Sequence, residues 1–149
     1  AAPRAFGAMV AVHAALFTLP LLEVAASGRK APGPRRGWIA GLAGAALLRR
    51  WAISSLGGAW NVRGAVAPGL VPVTRGPYRW VRHPNYLAVA VEFAALPMAA
   101  GAWRSAALLS AANAALLAGR IRAEEALLRS VPGYEAAFKG RARFLPGIF

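Results

Sequence analysis

The sequence predicts an all-α integral membrane protein of about four transmembrane helices, with a C-terminal helical hairpin that extends into the cytoplasm. Three observations lead there. Of the 149 residues 58% are hydrophobic and only 15% charged, which is too apolar for a soluble domain of this size. The 18 basic residues, giving a formal charge of +13, collect at the ends of apolar stretches and form no single patch. Four of those stretches approach the roughly 20 residues needed to cross a ~30 Å hydrocarbon layer. Basic ends of this kind face anionic headgroups, so membrane lipid is the expected partner and nucleic acid is not. The absence of cysteine excludes a disulfide framework, a thiolate metal site and a thiol nucleophile.

The first span is expected over residues 5–26. Arg4 followed by an apolar run that ends in Ala25, Ala26 and Ser27 has the outline of a signal peptide. Glu23 fits badly beside a cleavage site, however, and no hydrophilic mature domain follows, so a membrane span is the better reading. Gly28, Pro32, Gly33 and Pro34 among Arg29, Lys30, Arg35 and Arg36 then mark a loop. The second span, residues 38–57, must run past Arg49 and Arg50 to be long enough, and these two are expected to snorkel to the interface, the alternative being that one of them lines a cavity. Residues 61–73 form a connector containing Gly, Pro and apolar side chains, expected on the membrane surface. The third span, 84–102, and the fourth, 105–119, are separated only by a turn around Trp103 and Arg104 and so pair as an antiparallel hairpin.

All of this makes residues 1–149 a single membrane domain. The excess of basic residues places the N-terminus, residues 61–83 and residues 120–149 on the cytoplasmic side.

Two clusters carry the candidate chemistry. The first is Gly76-Pro77-Tyr78-Arg79-Trp80-Val81-Arg82-His83-Pro84-Asn85-Tyr86, which runs directly into the third span. Pro84 suits the first position of a helix, with His83 as its cap. The amides of Asn85, Tyr86 and Leu87, together with Arg79 and Arg82, would offer an anion the positive end of the helix. Arginines and aromatic residues also mark membrane interfaces in general, and the cluster alone does not separate the two readings. The second cluster is Arg120-Ile121-Arg122-Ala123-Glu124-Glu125, with Tyr134, Arg141 and Arg143 beyond it. Arg120 with Glu124 and Glu125 with Arg129 have the i, i+4 spacing of ordinary surface ion pairs. Yet these two glutamates belong to a set of only five acidic residues, all of them Glu, and they emerge on the same face as His83. A zwitterionic ligand needs both signs at one location, and the two clusters supply them.

Within the hairpin, Glu92 lies ~12 Å beyond Pro84 along a helix and Asn113 ~10 Å before Arg120, nearly level with each other. An ionisable group at membrane depth is a functional candidate; the alternative is a carboxyl bonded to Asn113 that pins the hairpin. His13 reads as a packed polar residue. Metal ligation has no motif, a Ser/His/Asp triad is excluded because there is no aspartate, and no phosphate-binding glycine loop is present.

Gly76-Pro77-Tyr78, Arg82-His83-Pro84-Asn85-Tyr86, and Arg122 with Glu124-Glu125, Tyr134 and Pro146 together resemble the isoprenylcysteine carboxyl methyltransferase family, with phospholipid methyltransferases as more distant relatives. The resemblance runs from Arg49 to the C-terminus. It implies an integral membrane enzyme, of the bacterial inner membrane with both termini cytoplasmic, that uses S-adenosylmethionine. Cofactor contacts are implied for Tyr78, Arg82, His83, Asn85, Tyr86, Arg122, Glu124 and Glu125. The chain is shorter than eukaryotic members and is similar to bacterial members that methylate alkylpyrones or alkylresorcinols. The implied acceptor is a lipophilic small molecule or lipid-anchored group, either a prenylcysteine-like carboxylate or a long-chain phenol or pyrone. A carboxylate acceptor needs no base, whereas a phenol with a pKa near ~10 benefits from one. Glu92, Glu124 and His83 are the candidates, with Glu92 and His83 foremost. A phospholipid N-methyltransferase and a non-catalytic membrane scaffold are the competing readings.

Overall fold

The structure, a computed structural model, describes residues 3–28, 36–59 and 71–144. Four long helices, α1 (Pro3–Ser27), α2 (Arg36–Leu56), α3 (Pro84–Ala100) and α4 (Trp103–Leu128), are followed by a single turn, α5 (Tyr134–Ala137). Short 3₁₀ turns occupy Gly57–Ala59 and Gly76–Arg79. Among the described residues there is no strand, only one parallel bridge between Val81 and Ala142.

α3 is the centre. It packs against α1, α2 and α4, and beyond its first turn it is apolar on all sides except at Glu92, as a helix surrounded by others must be. Phe93 is fully buried, and with Val89, Leu16 and Leu109 it forms a core shared by α1, α3 and α4. α2 and α3 approach closely where Gly41 faces Ala95, because a Cβ on Gly41 would lie 3.8 Å from the Ala95 Cβ. A second core lies at the opposite end: Ala52, Tyr78, Val131, Tyr134 and Phe138 join the end of α2 to the segment before α3 and to the chain after α4.

Expected and observed helices coincide closely, and α4 continues past residue 119 to Leu128 as a projecting arm. The hairpin turn falls two residues earlier than expected, at Gly101 and Ala102. Gly101 adopts the left-handed conformation (φ 85°) that ends α3, and the Ala102 N–H closes onto the Pro97 carbonyl at 2.8 Å. α4 has no local side-chain cap. Glu23, at the far end of α1, supplies one by accepting the amides of Arg104 (3.2 Å) and Ser105 (2.7 Å) and the Ser105 hydroxyl (2.6 Å). A carboxylate at a helix N-terminus is favourable both as acceptor and as charge, so Glu23 ties α1 to the hairpin.

Among the described residues one helix stretch, Phe6–Ser27, is by itself long and apolar enough to cross a membrane. Phe17, Leu21 and Leu22 stand exposed along it. Arg29, Lys30, Arg35, Pro146 and most of the 61–73 connector lie outside the described residues.

Candidate active site at the start of α3

The chain from Arg75 to His83 is positioned by its neighbours on both sides. Arg75 donates from Nε to the Ser55 carbonyl (2.9 Å) near the C-terminus of α2, a favourable place for a cation. Gly76 (φ 59°) then turns the chain into Pro77 and Tyr78, both buried. After α4 the chain returns through α5, and residues 141–143 lie alongside 81–83. The Arg82 amide bonds the Ala142 carbonyl (2.9 Å), the His83 amide bonds the Arg143 carbonyl (3.1 Å), and Arg82 Nε bonds the Arg141 carbonyl (2.8 Å). Arg141 in turn donates to the Tyr78 carbonyl.

This return places the Glu pair against the start of α3. Glu125 is 4% exposed and fully engaged: Oε1 receives His83 Nε2 (3.1 Å) and Arg143 Nε (2.9 Å), and Oε2 receives Arg143 Nη2 (2.9 Å). The Arg143 hydrogen bonds, helped by His83 and opposed by burial, hold the Glu125 carboxyl down at about 2. Glu125 reciprocally raises the Arg143 guanidinium. Glu124, one residue earlier and half-buried, accepts a short hydrogen bond from the Tyr86 hydroxyl. Arg120 stands over the Tyr86 ring at 5.8 Å, with Nε 3.4 Å from the hydroxyl. His83 and Tyr86 lie side by side, ring centres 5.6 Å apart. Burial, then the nearby Glu124 charge, push the Tyr78 hydroxyl up, so it stays neutral.

Of the residues that ordinary surface i, i+4 pairs would have used, Glu124 turns to Tyr86 and Glu125 to His83 and Arg143, as the two-cluster reading requires, while Arg129 lies 3.8 Å from Glu135 at the surface. His83 is the residue preceding α3, but its ring makes no cap; its carbonyl accepts the Leu87 amide, which is therefore not free for an anion.

Of the residues singled out in the sequence, the structure gathers Tyr78, Arg82, His83, Asn85, Tyr86, Glu124 and Glu125 about this junction. Arg122 stands apart, exposed and bonded to the Ala118 carbonyl of its own helix (3.2 Å). Asn85 Oδ1 is the one buried side-chain polar atom among the described residues without a hydrogen-bond partner, a state that costs ~1–3 kcal/mol unless something donates to it. Glu92 lies six residues beyond Tyr86, ~9 Å along the helix. Its partner is Arg49 of α2, not Asn113: Nη1 reaches Oε2 at 3.0 Å. Nearly level placement of Glu92 and Asn113 does not make them face each other. The sequence reading placed Arg120 and Arg143 in the second cluster without assigning either a ligand contact, and it did not pair Arg49 with Glu92. Arg120 was within reach, since it shares a helix face with Glu124 at i+4 whereas Arg122 points to the other side.

Residues 38–130 match the isoprenylcysteine carboxyl methyltransferase (ICMT) family. A curated relative from Bacillus subtilis (strain 168), described as "Uncharacterized protein YpbQ", is 35% identical over 121 residues, covering 81% of this chain and 72% of the relative. No solved structure matches.

Proposed function

The chain belongs to the isoprenylcysteine carboxyl methyltransferase family, whose members are membrane methyltransferases, and from that premise we propose that it is an integral membrane S-adenosylmethionine-dependent O-methyltransferase acting on a lipophilic acceptor. In this reading α1 to α4 are the four spans. Both termini and the segments 61–83 and 120–149 face the cytoplasm. The exposed apolar side chains of α1, and of Ile39, Leu47 and Leu108 on the other helices, support a lipid surround.

The observation that carries the reading is the meeting of two segments about forty residues apart, His83 with Glu125 and Tyr86 with Glu124, at one junction bearing both signs of charge. The residues there fit a zwitterionic nucleoside. Asn85 Oδ1 is a buried acceptor lacking a donor, and Glu124 Oε1 makes no hydrogen bond among the described residues, so both suit an ammonium or ribose hydroxyls. Arg82 is half-buried nearby and suits a carboxylate. Bound S-adenosylmethionine supplies a methyl group already activated on a sulfonium. The chain's part is to hold and orient, which accounts for much of the acceleration in such transfers. Glu125, saturated by Arg143 and His83, acts as a positioning residue that fixes the His83 ring beside Tyr86. Glu124 and Tyr86 are the side chains left to face the ligand.

Calorimetric titration of the full chain in detergent with S-adenosylmethionine and its demethylated product tests this. Glu124→Gln and Tyr86→Phe are expected to weaken both ligands at least ~10-fold, about the loss of one hydrogen bond to a charged group, with little change in melting temperature. Wild-type affinity in both variants would remove the assignment. Failure of the unmutated chain to bind either ligand would favour a non-catalytic scaffold. Labelled methyl appearing on a headgroup amine would identify a phospholipid N-methyltransferase.

A further inference from the structure

We propose that the groove between α1 and α4 at the end of the bundle remote from His83 is a lipid site, which takes the headgroup of an ethanolamine phospholipid with Arg104 on its phosphate and Glu23 on its ammonium. The inference rests on the membrane arrangement proposed above and not on methyl transfer.

The groove measures about 370 Å³ and is lined by Leu19, Leu22 and Glu23 of α1 and by Arg104, Ser105 and Leu108 of α4. That volume lies within the ~300–1,000 Å³ of sites that hold small molecules. Leu22 and Leu108 stand 63% and 62% exposed, so the groove is open along its apolar side. In the proposed arrangement it sits where α1 and α4 meet the headgroup layer away from the cytoplasm. Arg104 and Glu124 are separated by ~30 Å of α4, so this groove is no part of the site around His83.

Both signs of charge are present here, and they do not neutralise each other. Arg104 meets Glu23 only through its backbone amide (3.2 Å). Its guanidinium lies over the Trp103 ring at 5.4 Å and has no carboxylate within ion-pair distance among the described residues. A cation held on an indole at an interface keeps its N–H donors for a ligand. Glu23 has capacity as well. Its Oε2 accepts two hydrogen bonds and its Oε1 one, against the about four lone-pair positions of a carboxylate. The α4 cap can therefore stay in place while Oε1 accepts one further donor.

Chemistry selects the headgroup. A guanidinium can bond two phosphate oxygens at once, which assigns Arg104 to the phosphate common to all phospholipids. Glu23 then separates one class from another. A glycerol headgroup leaves the phosphate charge uncompensated beside the carboxylate. A choline nitrogen is fully methylated and has no N–H to donate. A primary ammonium has donors for Oε1 and cancels the phosphate charge, so an ethanolamine headgroup meets both residues and enters with no net charge. Leu19, Leu22 and Leu108 then take the first part of the acyl chains. A lipid held in this way bridges α1 to the start of α4, alongside the tie that Glu23 already makes.

The test offers the full chain, in a non-ionic detergent, an equimolar mixture of dioleoyl phosphatidylethanolamine, phosphatidylcholine and phosphatidylglycerol, and reads the retained lipid by native mass spectrometry. The wild type should retain the ethanolamine lipid at least ~10-fold over each of the others, the scale of one hydrogen bond to a charged group. Arg104→Gln keeps the backbone amide that Glu23 caps, so it should lose retention of that lipid by a similar factor with little change in melting temperature. Glu23→Gln can still accept the α4 amides through its carboxamide oxygen, and it should lose the preference over phosphatidylcholine. If Glu23→Gln does not fold, Arg104→Gln and the three-lipid comparison decide the matter by themselves. Equal retention of the three lipids by the wild type, or undiminished retention by Arg104→Gln, overturns the inference. So does a preference that survives Arg104→Gln and disappears in Glu124→Gln, which would put the lipid at the cytoplasmic end as a headgroup-amine substrate. Because retention is read without cofactor or turnover, a chain that holds the ethanolamine lipid through Arg104 but does not bind S-adenosylmethionine would sink the methyltransferase reading and leave this one standing.

Discussion

Glu125→Ala is expected to destabilise the folded chain by about 3 kcal/mol, the low end of what is lost when one member of a buried ion pair is removed. Truncation strands the His83 ring, which is 3% exposed, and frees the Arg143 side chain that fastens the returning chain against α4. A second route to the number agrees. The Glu125 carboxyl titrates at about 2 in the folded chain against an ordinary value of 4.5, and that separation corresponds to about 3 kcal/mol. In a chain of this size such a loss lowers Tm by roughly 10 °C. The linkage also sets a pH window. Between the two pKa values the unfolded chain binds the proton and the folded chain does not. The contribution is therefore complete above about pH 4.5 and is lost as pH falls toward about 2. The gap in Tm between the wild type and Glu125→Gln should accordingly be wide at pH 6 to 7 and shrink by about pH 3, read by thermal scans in an acid-tolerant detergent. A gap that stayed constant across that range would show that Glu125 is not the anionic tie described.

This same contact shows what could be read from residue order and what could not. The helices follow from run length and from the residues that end them, and the four expected apolar stretches are found as the helices α1 to α4 to within a few residues, with α4 continuing beyond residue 119 as a helical extension past the fourth stretch was expected to. The joining of the two clusters was also legible, because with five acidic residues in the chain an adjacent pair of glutamates facing His83 is conspicuous. Rotation about the helix axis was harder. Axial rise placed Glu92 level with Asn113, but rise says nothing about which neighbour a side chain faces, and Glu92 faces Arg49 across the α2–α3 contact. Arg122 was chosen over Arg120 for a similar reason, since a two-residue step turns a side chain to the far side of the helix. The Val81–Ala142 bridge and the Arg143–Glu125 pair depend on how the chain returns after α5, a matter of tertiary packing that no local pattern encodes.

The segment that delivers Tyr78, Arg82 and His83 hinges on Gly76, and Gly76→Ala should be about as damaging as loss of Glu125. Two effects add. At φ 59° an L-residue is strained by roughly 1–2 kcal/mol, because its Cβ crowds the following carbonyl. The new methyl would also fall on the Ser55 side chain, overlapping Oγ and approaching Cβ to 2.9 Å, with Trp51 Nε1 at 3.2 Å. Ser55 has little room to give way, since it is buried and its hydroxyl is tied to the Trp51 carbonyl at 2.8 Å. Overpacking of that kind costs about 1–3 kcal/mol. The sum, about 3 kcal/mol, is relieved by moving residues 76–83 away from α2, which carries His83 away from Glu125. The expected phenotype is therefore a lower Tm together with, on the function proposed above, weaker S-adenosylmethionine binding, a pairing that a remote packing defect would not give. Ser55→Gly placed on the Gly76→Ala background removes the overlap but not the backbone strain, and should restore about half of the lost stability. Melting curves and cofactor titrations of the single and double variants decide it: Gly76→Ala that melts and binds as the wild type does would show that the site does not depend on this turn.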